Sequence, residues 1–252
     1  MTAGCAAAGP GRRAGRGAPL RWAGLLVLLL AGLPLLPVAP AAGALLPTPP
    51  GLEVGRVALA PAAEFVFDRD LRLETIGAPQ AAEIRRFVLG GAYGLLPELE
   101  GFLALGASRL HLPPGSLPAG GRFDGEPGIL FGGGLRYRFL EQPPFRVEAT
   151  LFLARLESED GERGASAAWL EYNLEVVASA RVFRRLAPYV GLGVGIADGT
   201  LEGAFGRLDF RQEHVLGAVV GVRYAATAQV SAALAARVFD ETALALGLGF
   251  AF

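Results

Sequence analysis

Charged residues recur at every second position within otherwise apolar stretches of this chain, and their chemistry depends on what that alternation builds. Over Trp169 to Phe183, Leu170, Tyr172, Leu174, Val176, Ala178, Ala180 and Val182 fall on one face of an extended segment. Glu171, Asn173, Glu175, Ser179 and Arg181 fall on the other. The same parity in the other segments gathers Glu64, Arg86, Glu98, Glu100, Arg136, Arg138, Arg146, Glu148, Arg223 and Arg237 onto polar faces. Six acids and seven arginines enclosed together can do one of two things. They can pair, since a buried charge is tolerated only with a partner and the guanidinium fork matches a carboxylate, giving an ion-pair network that packs the interior. They can instead form a charged constriction that selects a permeating solute.

Other candidate chemistry is sparser. His111 and His214 are the two histidines, and with Ser108 and Glu213 they could assemble a nucleophile and its base; the plainer reading is that both meet water or a hydrogen-bond partner. Gly191-x-Gly193-x-Gly195 resembles a phosphate loop, but no helix follows it, and inward glycines of a strand account for it. Glu157-Ser158-Glu159-Asp160-Gly161-Glu162 is acidic yet lacks a calcium-loop register and reads as a solvated turn. No pattern for a metal or other cofactor stands out, so none is expected.

The elements that must position these groups follow from hydropathy. The first residues hold Arg12, Arg13, Arg16 and Arg21 without an acid, then an apolar run from Trp22 to Leu36, then Ala42-Gly43-Ala44, so residues 1–44 read as a cleaved signal peptide. Its removal leaves 19 arginines against 24 acids, a net charge of −5 with no basic patch for nucleic acid, and takes away Cys5, the sole cysteine. Thiol catalysis and disulfides are thereby excluded. All 23 basic residues are arginine, which we attribute, with the abundance of Ala, Gly and Pro, to a GC-rich genome. Residues 45–52, with Pro47, Pro49 and Pro50, read as a short unstructured periplasmic lead to one domain over 53–252.

Beyond residue 44 no apolar run reaches the length of a spanning helix, and the apolar residues are spread in alternation. The segments Val54–Arg69, Ile84–Tyr93, Leu99–Leu110, Ile129–Leu140, Phe145–Leu156, Trp169–Phe183, Tyr189–Ala197, Glu213–Ala225, Val230–Phe239 and Ala243–Phe252 are each long enough to cross a membrane as tilted strands. They predict an all-β fold, a transmembrane antiparallel up-and-down β-barrel of about ten strands. Eight would result if the first or fifth pair were not paired strands, twelve if the first segment broke at Pro61. Short turns alternate with the longer stretches Asp70–Glu83, His111–Gly128, Glu157–Ala168 and Asp198–Gln212, the asymmetry of periplasmic turns and surface loops, and only the last outer loop, near Asp240-Glu241-Thr242, is short. Tyr93, Tyr137, Phe139, Phe145, Phe183, Tyr189 and Tyr224 gather near the short-turn ends as an expected interfacial girdle.

The opening Val57-Ala58-Leu59-Ala60-Pro61, the strands Gly90-Gly91-Ala92-Tyr93 and Gly132-Gly133-Gly134-Leu135-Arg136-Tyr137, and the close of the chain carry a resemblance. In that close, Leu244, Leu246, Leu248, Phe250 and Phe252 alternate with small residues up to a terminal Phe. Over most of 53–252 the chain resembles the small outer-membrane β-barrel proteins, the OmpA/OmpX-like and OmpW-like group. That resemblance implies the outer membrane of a Gram-negative bacterium, contact with outer-membrane lipid and lipopolysaccharide, and a last strand read by the barrel-assembly machinery. It is silent on activity, since such barrels include adhesins, pores, enzymes and structural proteins. Where surface proteases of this architecture carry Asp two residues before His, position 212 is Gln; where lipid A deacylases carry Ser two residues after His, positions 113 and 216 are Pro and Leu. The expectation is therefore a non-enzymatic structural or surface-interaction barrel with a mostly charge-plugged lumen. A narrow passive channel for small solutes is the alternative, and an outer-leaflet lipid or peptide hydrolase a more distant one.

Overall fold

The computed structural model describes residues 52–252 apart from Thr75 and Gly77; the signal segment expected over 1–44 and residues 45–51 of the lead lie outside the described residues. A strand facing two media alternates in polarity, and the described chain is almost entirely strand. In chain order these are β1 (Val57–Leu73), β2 (Pro79–Leu96), β3 (Leu99–Leu117), β4 (Gly121–Asp124), β5 (Glu126–Gln142) and β6 (Phe145–Asp160). They continue with β7 (Ala165–Ala180), β8 (Leu186–Gly203), β9 (Gly206–Gln212), β10 (Leu216–Ala225), β11 (Val230–Val238) and β12 (Thr242–Ala251).

Ten strands close an antiparallel ring in the order β1-β2-β3-β5-β6-β7-β8-β10-β11-β12, and β12 returns to β1 with Ala58 opposite Ala251 and Phe65 opposite Leu244. The remaining two lie at the long-hairpin end. Ser108 of β3 faces Gly128 and His111 faces Asp124, so β4 prolongs β5 along the same neighbour. The kink between them is at Gly125, where a Cβ would stand 2.0 Å from the Ser158 hydroxyl. β9 pairs with β8 and, through Leu71–Gln212 and Leu73–Phe210, with β1. Because β10, β11 and β12 are short, β9 takes their place beyond them, and the ring narrows from ten strands to eight.

The two ends of the ring have opposite polarity. In the ten-strand part Leu59, Phe87, Leu89, Leu103, Leu105, Phe131, Leu151, Leu174, Leu192 and Leu246 stand exposed on the outer surface, while charged side chains are buried inside. So broad an exposed apolar surface is foreign to a soluble monomer and is the lipid-facing belt of a membrane barrel. A lipocalin-like barrel would put these residues inside.

In the eight-strand part Glu83, Arg85, Arg207, Asp209 and Arg211 face outward, and Ile84, Leu71, Leu73, Leu110, Leu112, Phe123, Leu156, Leu201 and Phe210 form a buried core. This corrects the expectation of four long surface loops. Their apolar residues cannot be left in water, so the strands run on as hairpins and bury them, leaving tight tips beyond Leu73, Leu117, Asp160 and Gly203. An eight-strand ring is just wide enough for side chains to fill, which suits a dry apolar head.

Candidate functional site: the charged lumen

Inward positions of the ten-strand ring bring most of the sequence-predicted charges together. Glu64, Arg86, Glu100, Arg136, Arg146, Glu148, Glu171, Glu175 and Arg237 are buried inside, with Arg138 and Arg223 nearly so. Two placements are corrected. Glu98 lies in the exposed turn between β2 and β3, and Arg181 is exposed just beyond β7, because in both cases the strand ends before the parity reaches the residue. Three lumen charges went unread. Arg69 shares parity with the outward Phe67, but an extra residue in β1 between Val66 and Arg69 shifts the register against β2 and turns Arg69 inward. Asp240 and Glu241, in the last outer turn, are buried because Phe239 adopts a φ of 83°, rare for an aromatic, and the turn folds back over the lumen.

Among the described residues the lumen thus holds seven carboxylates, those of Glu64, Glu100, Glu148, Glu171, Glu175, Asp240 and Glu241. Against them stand seven guanidiniums, those of Arg69, Arg86, Arg136, Arg138, Arg146, Arg223 and Arg237. They fall into two layers. The layer nearer the long hairpins runs Glu64–Arg86 (2.7 Å), Arg86–Glu171 (2.5 Å), Glu171–Arg69 (2.5 Å), Arg69–Glu241, Glu241–Arg237 (3.5 Å) and Arg237–Glu175 (3.5 Å), with Asp240 at 3.7 Å from Arg237. Trp169 Nε1 donates to Glu171 Oε1 at 2.9 Å. β1 and β7 are five strands apart in a ring of ten, so the Arg69–Glu171 pair joins opposite walls and spans the full width of the lumen. The layer nearer the short turns pairs Arg136 and Arg138 with Glu100 (3.2 and 3.5 Å) and holds Glu148 between Arg146 (2.8 Å) and Arg223. Below it Leu52 is buried, and its backbone N–H donates to Glu100 Oε1 at 3.0 Å.

The layers are charged oppositely. The first has five carboxylates against three guanidiniums, the second four guanidiniums against two carboxylates, so the lumen is close to neutral overall but polarised along its axis.

Beside several lumen-facing glycines the space a side chain would need is already taken by a neighbour. A Cβ on Gly217 would sit 2.2 Å from Asp240 Oδ1, one on Gly195 2.7 Å from Asn173 Oδ1, and one on Gly221 2.4 Å from the Tyr189 ring. Tyr189 itself is corrected from the girdle to the lumen: it is buried with the Arg223 guanidinium 4.9 Å from its ring centre. Tyr93, Tyr137, Phe139 and Tyr224 remain on the outer surface, with Tyr137 and Phe139 edge to face at 4.9 Å.

At the rim, the four residues weighed as a nucleophile set take separate partners. The Ser108 hydroxyl donates to the Glu157 carbonyl (3.1 Å), His111 Nδ1 meets Asp124 (3.2 Å), His214 Nε2 lies 3.5 Å from Asp70, and Glu213 pairs with Arg72 (2.5 Å). Hydrogen bonds from Arg109 and then His111 hold the Asp124 carboxyl below the usual carboxylate range.

A closed antiparallel ring with an apolar belt outside and paired charges inside defines a transmembrane β-barrel. No protein-family model matches the chain, and no curated protein matches it. Among solved structures, the chain is similar to an outer membrane channel from Pseudomonas putida F1, with 14% identity over 84% of this chain and 99% of that one at a TM-score of 0.48. It is also similar to the outer membrane protease OmpT from Escherichia coli (12%, 81% and 97%, TM-score 0.44). The corresponding values for Ail, the attachment invasion locus protein of Yersinia pestis, are 12%, 79% and 100%, with a TM-score of 0.41.

Proposed function

We propose that this chain is an integral outer-membrane barrel of a Gram-negative bacterium, inserted by the assembly machinery and surrounded by lipid and lipopolysaccharide, whose lumen is sealed. Its role is structural or one of surface interaction through the folded hairpin head. The observation that carries this reading is the set of ion pairs joining opposite walls, Arg69–Glu171 and Arg86–Glu171, beneath a buried apolar core. A hydrated path would have to break pairs that are costly to separate once desolvated. The outward Leu244, Leu246, Leu248 and Phe252 of the terminal segment suit recognition during assembly. The separate partners of Ser108, His111, Glu213 and His214 favour a non-enzymatic rim.

The test is single-channel recording on the refolded chain in a planar bilayer, with folding verified by heat-modifiable gel mobility. The expected result is a folded barrel without conductance steps. Steady, salt-dependent steps would overturn the sealed lumen and make Arg136, Arg138, Glu171 and Glu175 the candidate filter. Cleavage of peptide or lipid A by the purified barrel would overturn the non-enzymatic reading.

A further inference from the structure

The short-turn end of the barrel opens into a cavity of about 580 Å³ between the turn after β5, the turn after β7 and the turn after β10. Its charged lining is unbalanced. Arg146, Arg181, Arg184, Arg185 and Arg223 contribute five guanidiniums, and among the described residues Glu141 is the sole acid in the lining. Glu141 is already engaged by Arg138 at 2.5 Å. At the floor, Glu148 accepts from Arg146 Nε at 2.8 Å and from Arg223, so one carboxylate serves two guanidiniums. Arg181, Arg184 and Arg185 are exposed and have no ion-pair partner among the described residues. Ser231 also lines the cavity, and its buried Oγ has no hydrogen-bond partner among the described residues.

A concave surface with several unneutralised guanidiniums and a spare hydroxyl is built for an oxyanion rather than a cation or an apolar ligand. Phosphate fits better than a single carboxylate, because its tetrahedrally arranged oxygens, and in a monoester or pyrophosphate also its higher charge, can engage several guanidinium forks together. The volume exceeds what a bare phosphate needs and leaves room for the group that carries it.

We propose that this vestibule binds a phosphate-bearing molecule presented from the periplasmic side, either a soluble phosphate compound or the headgroup of a phospholipid in the adjoining leaflet. The inference stands on the vestibule and is independent of whether the lumen conducts.

Two probes separate the sources. Inorganic pyrophosphate is titrated calorimetrically into the refolded barrel in neutral detergent. In parallel, barrels reconstituted with phosphatidylglycerol and phosphatidylcholine are analysed by native mass spectrometry for a retained lipid. Saturable pyrophosphate binding at one per barrel supports a soluble ligand, and selective retention of phosphatidylglycerol supports a headgroup. In either case Arg184→Gln with Arg185→Gln, both in the exposed turn, is expected to weaken binding at least about tenfold with the heat-modifiable mobility unchanged. Arg181→Gln serves as an independent single variant. Absence of both signals, or binding indifferent to all three substitutions, overturns the proposal.

Discussion

Replacing Glu171 with Ala tests the reasoning about the lumen most directly. Glu171 Oε1 accepts from Arg69 Nη1 and Arg86 Nη2, both at 2.5 Å, and from Trp169 Nε1 at 2.9 Å. The substitution leaves Arg69 with Glu241 and Arg86 with Glu64, so neither guanidinium is orphaned. It nevertheless removes three charge-assisted bonds, each contributing about 1.5–3 kcal/mol, leaves the Trp169 indole N–H without its partner and leaves a void. Losing a carboxylate from a layer with an excess of them offsets part of this, and the net expectation from the lost bonds, the unpaired indole N–H and the void is about 3–5 kcal/mol. Glu171→Gln keeps the shape and an acceptor and should cost less. Glu98→Ala, in the exposed turn, should stay within about 0.5 kcal/mol of the parent. The assay is urea unfolding of the refolded barrel in lipid vesicles, followed by gel mobility and by the fluorescence of Trp169, the only tryptophan after residue 44. Because its indole donates to Glu171, its emission should also change in the folded state. A Glu171→Ala barrel as stable as Glu98→Ala would refute the claim that the wall-to-wall pairs hold the lumen together.

Further expectations concern other parts of the barrel. Gly217→Ala would drive a methyl against Asp240 and should cost about 1–3 kcal/mol by overpacking, read in the same urea assay. Phe123→Ala, at a fully buried position of the apolar head, should cost about 3–5 kcal/mol there and raise hydrogen exchange in the β3–β4 hairpin, with the lipid-facing strands still protected. Asp124, held low by Arg109 and His111, stabilises its hairpin above about pH 4 and loses that contribution as pH falls through its lowered value. Hydrogen exchange of β4 measured between pH 2 and 6 should therefore show loosening on the acid side, small because the group is well exposed, and Asp124→Asn should flatten the profile.

How far the sequence could be read was set by whether local parity survives tertiary structure. On β7 it survives from Ala165 to Ser179, and Glu171, Asn173 and Glu175 lie where alternation puts them. On β1 it holds from Val57 to Val66 and then fails at the extra residue before Arg69, which no local pattern marks. Asp240 and Glu241 depend on the turn conformation at Phe239, so their pairing with Arg237 and Arg69 appears only in three dimensions. The hairpin head was obscured for another reason. Strict alternation continues through Ala82-Glu83-Ile84-Arg85, but its sense is reversed relative to the membrane part, and alternation by itself carries no sign. Arg181 and Glu98 had the right parity on strands that stop one or two residues too soon.

The replacement of three short strands by β9 also decides which parts of the exposed end can accept change. β9 hydrogen-bonds to β1 as well as β8, so a peptide or label inserted within it would disturb both the last long hairpin and the first. Added proteases should likewise find little slack backbone along these strands. Sites for displayed epitopes, and for the first nicks, are confined to the tips, with Gly161–Gly164 between β6 and β7 and Ala204–Phe205 between β8 and β9 the best placed.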